Sequence, residues 1–261
     1  MEGEMEVIDK SYFPEYVRLI GSDIKRLVDD FDFSEKDIDL GYSTQAAAVF
    51  SSNIEGNTVD LNSFMNYQLS REKFKESKEI EEIENLIKAY QLAQNAPLNE
   101  TNFLKCHEIL SQTLLIKSKR GRYRTEKVGV YDPGGLVYLA IEPEYVSEKM
   151  AMLFERILVL LNEKIEIEET FYFASLIHLR FAHIHPFRDG NGRAARLLEK
   201  WFLAEKLGEK YWKIPAEKYY KDHRAEYYAN INLGVNYYEL NYDLCIPFLM
   251  MLPKCLESTN T

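Results

Sequence analysis

The sequence predicts a mostly α-helical domain carrying a single β-hairpin. Apolar residues recur at three- and four-residue steps along most of the 261 residues, strand-like sequence is confined to one place, and no repeat or long linker divides the chain. In order, Thr44 to Asn57 reads as a short helix that Ser43 or Thr44 caps and Gly56 ends. Ile80 to Leu92 follows, with Lys78, Glu81, Glu82, Glu84 and Lys88 as a solvated outer face. Asn95-Ala96-Pro97 interrupts the pattern before Thr101, an expected N-cap for a helix over Phe103 to Leu115. Lys127 to Tyr131 and Leu136 to Leu139 flank Asp132-Pro133-Gly134-Gly135, the pattern of a hairpin. Val146, Met150, Leu153, Phe154, Ile157, Leu160 and Leu161 then mark an amphipathic helix, and Phe171 to Phe181 and Ala194 to Leu207 repeat the spacing. A tyrosine-rich C-terminal third (Tyr211, Tyr219, Tyr220, Tyr227, Tyr228, Tyr237, Tyr238, Tyr242) reads mainly as half-buried aromatic packing.

Composition removes several classes of function. At 46% hydrophobic and 28% charged residues, the chain is neither disordered nor low-complexity. Its net charge of −10 makes it a poor polyanion binder unless positive charge is concentrated locally. Met150 to Leu161, the longest apolar stretch, is broken by Glu155 and Arg156 and falls short of the roughly 18 residues a membrane span needs. The start, Met1 to Glu6, is acidic where a signal peptide is basic, and three scattered cysteines (Cys106, Cys245, Cys255) suit a reduced cytoplasmic protein.

Chemistry concentrates in His183-Ile184-His185-Pro186-Phe187-Arg188-Asp189-Gly190-Asn191-Gly192-Arg193-Ala194-Ala195-Arg196. Pro186 and the two glycines interrupt two helical patterns, and the helix that restarts near Arg193 offers unpaired N–H groups and its positive dipole end. Between His178 and Arg196, four arginines face one carboxylate, a local charge of +3 in a chain of −10. Asp189 beside this anion cradle suits Mg²⁺, which binds through one or two carboxylates plus phosphates. Arg193 and Arg196, three residues apart, share a helix face and can fork onto phosphate oxygens, and His185 supplies a base. These are the parts for phosphoryl or nucleotidyl transfer. His178 and His183 read as hydrogen-bonded packing residues.

The string His185-Pro186-Phe187-Arg188-Asp189-Gly190-Asn191-Gly192-Arg193 resembles the signature HxFx(D/E)GN(G/K)R of the Fic (filamentation induced by cAMP) family, and Arg196 fits its extended form. The resemblance implies a Fic-type helical bundle with its hairpin, the flap, beside the active-site loop. It divides the chain into an N-terminal helical region (1–100) and a Fic core (101–261), with the flap at about 128–139. The implied activity is a protein adenylyltransferase (AMPylator), which transfers AMP from ATP to a Ser, Thr or Tyr hydroxyl of a target protein. His185 then deprotonates the hydroxyl, Phe187 anchors the loop, and Asp189 binds Mg²⁺. Asn191, with the Gly190 and Gly192 backbone, holds phosphate oxygens, and Arg193 and Arg196 take the β- and γ-phosphates. The Doc-like kinase branch has Ala and Lys in place of Gly190 and Gly192, so both glycines favour nucleotidyl transfer. Similarity of Tyr227-Tyr228 and Asn232 to the family's adenine-side helix points to Tyr228 and Asn232.

Ser51-x-x-x-Glu55-Gly56 resembles the family's inhibitory motif (S/T)xxxE(G/N). Read from the residues, Glu55 sits in a last helical turn, where the dipole disfavours a carboxylate unless a cation meets it, and Ser51 lies on the same face to steady its side chain. The resemblance makes that cation Arg196 and the resting protein autoinhibited, with the inhibitory helix at about 43–56. The cationic run Lys117 to Lys127 reads as a solvated loop leading into the flap, whose open edge would dock the target. The resemblance also leaves a homodimer open. No helix-turn-helix follows the tyrosine-rich helices, so direct nucleic-acid binding is not expected. Three alternatives stay open: a nucleotide-sensing regulator with little turnover, a de-AMPylating phosphodiesterase at the same site, and a metal phosphohydrolase on His178, His183, His185 and Asp189.

Overall fold

The computed structural model describes residues 8–20, 23–31, 33, 40–70 and 77–257. The acidic Met1 to Glu6 segment lies outside them. In chain order the elements are α1 (Phe13–Ile20), α2 (Asp23–Asp30), α3 (Leu40–Ile54), α4 (Leu61–Leu69), α5 (Lys78–Gln94), α6 (Glu100–Leu110), β1 (Gly129–Asp132), β2 (Gly135–Leu139), α7 (Pro143–Asn162), α8 (Ile167–Ile184), α9 (Asn191–Leu207), α10 (Ala216–Asp222), α11 (Arg224–Ile231), α12 (Ile246–Leu249) and α13 (Met251–Lys254). The fold is thus a helical bundle with one two-stranded antiparallel hairpin.

α8 is apolar on every side and buried from Thr170 through Leu179, as a central helix must be. Glu166 and Glu169 form a capping box at its start. α9 is buried from Arg193 through Ala204 and packs lengthwise on α8, so the loop between them is held at the core's edge by its two most buried helices. The α5–α6 pair, with α3 beside α5 and α10, closes one flank, and α7 covers another. In the hairpin, Gly129 pairs with Leu139, Val130 with Tyr138 and Asp132 with Gly135, with a bulge between Val130 and Tyr131. Tyr138 pins it down, donating from its hydroxyl to the His183 carbonyl at 2.7 Å. Among the described residues no helix is long and apolar enough to cross a membrane.

Four local expectations are corrected. α3 begins at Leu40, so Thr44 lies inside it and bonds back to the Leu40 carbonyl (2.7 Å) instead of capping. α6 is capped by Asn99, whose Oδ1 accepts from the Asn102 N–H (2.9 Å), which places Thr101 in the first turn. It also stops at Leu110, where the Ser111 hydroxyl takes the His107 carbonyl (2.6 Å) and turns follow. Glu82 and Glu84 are half-buried on α5, not part of its solvated face.

Candidate active site

α8 ends where His185 turns out of the helix with φ 51° and ψ 57°, a left-handed conformation that no other non-glycine among the described residues adopts. That turn aims the imidazole into a cavity of about 760 Å³. Nδ1 lies 3.2 Å from the Ala182 carbonyl, which can only accept, so Nδ1 carries the proton and Nε2 keeps its lone pair. Burial, aided by the charge of Arg124, pushes the ring down to about 4, so it is neutral at physiological pH. The wall also carries Glu55, Asn191, Gly192, Arg196, Tyr228 and Asn232, and the flap closes it with Val130, Tyr131 and Val137.

The loop after His185 is fixed mainly through its own backbone. Phe187 is fully buried and stacks on His107, ring centroids 3.4 Å apart. His107 accepts the Gly121 N–H at Nδ1 (3.0 Å), which leaves Nε2–H to donate to the Asp189 carbonyl (3.0 Å). The Asn191 side chain is spent on the same loop: Oδ1 accepts the Phe187 N–H and Nδ2 donates to the Phe187 carbonyl, both at 2.9 Å. The Asn191 side chain is therefore committed within the loop. What it offers the cavity is a backbone N–H in the first turn of α9, where no intrahelical carbonyl can take it. Gly190 bends the chain there at φ +82°. Asp189 accepts the Gly190 N–H at 2.6 Å, and its side chain is about half exposed.

Both arginines of α9 meet carboxylates from the N-terminal helices. Arg196 is buried and donates through Nη2 to Glu55 (2.7 Å) and to the Ser51 carbonyl (3.0 Å), through Nε to the Ser51 hydroxyl (2.9 Å), and through Nη1 to the Tyr227 hydroxyl (3.1 Å). Ser51 thus steadies the arginine, not the glutamate as expected, because the guanidinium reaches its hydroxyl directly. Glu55 lies just past the end of α3, with Gly56 turning the chain at φ +101°. Burial works to raise its carboxyl, but Arg196, with Arg193 and Arg224 beyond, outweighs that and holds it below the ordinary range. Contact with α9 is close enough that a Cβ on Gly192 would sit 2.2 Å from Glu55 Oε1, so any side chain there would have to displace the carboxylate. Arg193 bonds Glu82 of α5, and Asp189 lies 3.9 Å from it.

His178 and His183 face other partners. His183 meets the Tyr242 hydroxyl and the Ile231 carbonyl, each at 2.8 Å, and His178 meets the Tyr227 hydroxyl at 3.0 Å. Among the described residues no three His, Cys, Asp or Glu side chains gather as a metal cage. Sequence reasoning missed His107, Glu82 and Arg124. The available signal for His107 was a histidine four residues after Phe103, on the same apolar face of a helix.

Chemically, the cavity brings a neutral imidazole, a helix N-terminus and the Arg196 guanidinium to one place, an arrangement for anchoring an anionic group beside a general base, while Arg193 lies outside its lining. Residues 97–203 match the family model described as the Fic/DOC family. A protein adenylyltransferase Fic of Nematostella vectensis is 32% identical over 139 residues, 53% of this chain and 28% of that protein. One of Aedes aegypti is 27% identical over 79% of this chain and 39% of that protein. The chain therefore spans well under half the length of these curated relatives. Among solved structures, a Fic family protein from Desulfovibrio desulfuricans superposes with a TM-score of 0.78 at 23% identity, covering 95% of this chain and 74% of that one. A Fic domain containing signalling protein from Bacteroides thetaiotaomicron gives 0.70 at 20% identity, covering 91% and 95%.

Proposed function

This chain is a Fic family protein, and on that premise we propose that it is an adenylyltransferase that moves AMP from ATP to a hydroxyl of a target protein and rests in an autoinhibited state. The observation that carries the reading is a cavity whose wall brings together His185, with Nε2 left as an acceptor, the first residues of α9 and Arg196. The triphosphate lies along that N-terminus, its oxygens on the backbone N–H groups of Asn191 and Gly192 and on Arg193 and Arg196. Tyr228 and Asn232, further along the same wall, flank the base. The target hydroxyl attacks the α-phosphorus, its proton passes to His185 Nε2, and pyrophosphate leaves. Asp189 suits a Mg²⁺ that arrives on the nucleotide, because an exposed single carboxylate next to a phosphate site is what that ion uses. The ion would neutralise phosphate charge there.

The flap offers the target its open edge, with Tyr131, Leu136 and Leu139 exposed. The chain's three cysteines, Cys106, Cys245 and Cys255, are buried thiols, which suits work in a reducing compartment such as the cytoplasm. Glu55 is the brake: its carboxylate occupies the Arg196 guanidinium and lies against Gly192, where a phosphate would have to sit. The test is incorporation of α-labelled ATP into protein. Glu55→Gly raises it, and adding His185→Ala to that variant removes it while MgATP binding by calorimetry persists. A Glu55→Gly protein that binds no nucleotide would sink the proposal.

A further inference from the structure

Left-handed backbone at a residue with a side chain is strained and persists only where the surroundings over-determine it. At His185 one side chain does most of this. Arg124, in the cationic run before the flap, is 2% exposed and donates to four main-chain carbonyls. Nε bonds His185 at 2.8 Å, Nη2 bonds Ile184 at 3.3 Å and Ile141 at 2.5 Å, and Nη1 bonds Glu126 at 3.0 Å. Its own N–H donates to the Pro186 carbonyl at 2.9 Å. A buried cation satisfied by carbonyls is costly unless they are pre-aimed, and the last carbonyls of α8 are, since they point out of a helix C-terminus. Glu126 and Ile141 lie just before β1 and just after β2, so the same guanidinium ties both feet of the hairpin to the turn that carries the imidazole.

We propose that Arg124 is a positioning residue for AMP transfer, holding the His185 main chain in its left-handed turn and fixing the base of the flap against it, so that a hydroxyl docked on the flap meets the imidazole in register. The inference rests on the role of His185 given above. Arg124 touches no residue proposed for the triphosphate, so its loss acts on the transfer step and not on nucleotide affinity. A lysine keeps the charge but not the planar fork that reaches several carbonyls at once.

In the Glu55→Gly background, Arg124→Gln and Arg124→Lys are each expected to lower kcat by about 100-fold while KM for ATP stays within about threefold, the signature of misplaced reacting groups. Backbone ¹³C shifts report the His185 conformation without any turnover, and they should leave the left-handed range in both variants. Full kcat in the lysine variant would reduce Arg124 to a charge and overturn the proposal. Retention of the left-handed His185 in both variants would overturn it too, even if the parent transfers no AMP. A parent that is inactive while both variants lose the turn would leave Arg124's hold on His185 standing and sink the adenylyltransferase reading instead. If the glutamine variant does not fold, the lysine variant decides alone by the same two readouts.

Discussion

Arg193 and Arg196 stand one turn apart on the same buried helix, each facing a glutamate from the N-terminal part of the chain, yet their surroundings differ. Every guanidinium nitrogen of Arg196 is engaged, by Glu55, Ser51 and Tyr227. Arg193 meets Glu82, but its Nε is buried with no hydrogen-bond partner. The glutamates differ too. Glu55 sits below the ordinary carboxylate range, whereas burial lifts Glu82 above it, an effect that Arg193 only partly offsets and that the negative charges of Glu55 and Asp189 reinforce. A charged group with all its donors matched is costly to disturb, while one with a stranded donor gains from any further acceptor. The Arg196 end is therefore the better matched of the two, and the Arg193 end the one with a donor left over.

The largest expected difference is in AMP transfer. Glu55→Gly should raise incorporation by roughly 10²-fold, equivalent to removing a competitor worth about 2.7 kcal/mol, and Glu82→Gln by no more than about threefold. Equal effects in a labelled-ATP assay would mean the two ends are the same kind of lock. Stability sharpens the contrast at smaller scale. Tyr227→Phe strips an acceptor from Arg196 and leaves His178 Nε2 unmatched in a fully buried setting, so urea unfolding should show a loss of about 1–3 kcal/mol. Glu82→Gln keeps an oxygen acceptor for Arg193 and removes a carboxylate that burial already disfavours, so it should cost under about 1 kcal/mol. A reversed order of the two losses would contradict the comparison.

How much of this was legible in the sequence follows from how far apart the partners lie. The loop from His185 to Arg196 could be read directly, because Pro186, Gly190 and Gly192 between two helical periodicities say locally where the chain must turn. The hairpin was legible for the same reason, and Gly56 marked the end of α3 through a backbone angle that suits glycine. Partnerships across the fold were not, apart from Glu55 with Arg196, which the family resemblance and not the local pattern supplied. Glu82 looked like one more charge on a solvated face, since nothing within α5 records that α9 lies against it. Arg124 was one cation among six, separated from the buried carbonyls it holds only by the fold itself. Asn191 carries a commitment the motif does not spell out: its side chain is bound to the Phe187 main chain.

Acid titration gives the finest cut. A carboxyl held below its unfolded value contributes stability that is complete above that unfolded value and is lost as pH falls through the lowered one, which is the case of Glu55. A carboxyl lifted by burial behaves oppositely: the folded protein binds its proton more tightly than the unfolded chain, so protonating Glu82 favours the fold as pH falls through the raised value. On acidification Glu82 should therefore titrate first, freeing Arg193 from its ion pair while Glu55 still holds Arg196. Side-chain carboxyl ¹³C shifts of the two glutamates, followed from neutral pH downward, test this by their order alone. If Glu55 moved before Glu82, the Arg196 end would be the weaker of the two, and Glu55 could not be what keeps the cavity closed to a triphosphate.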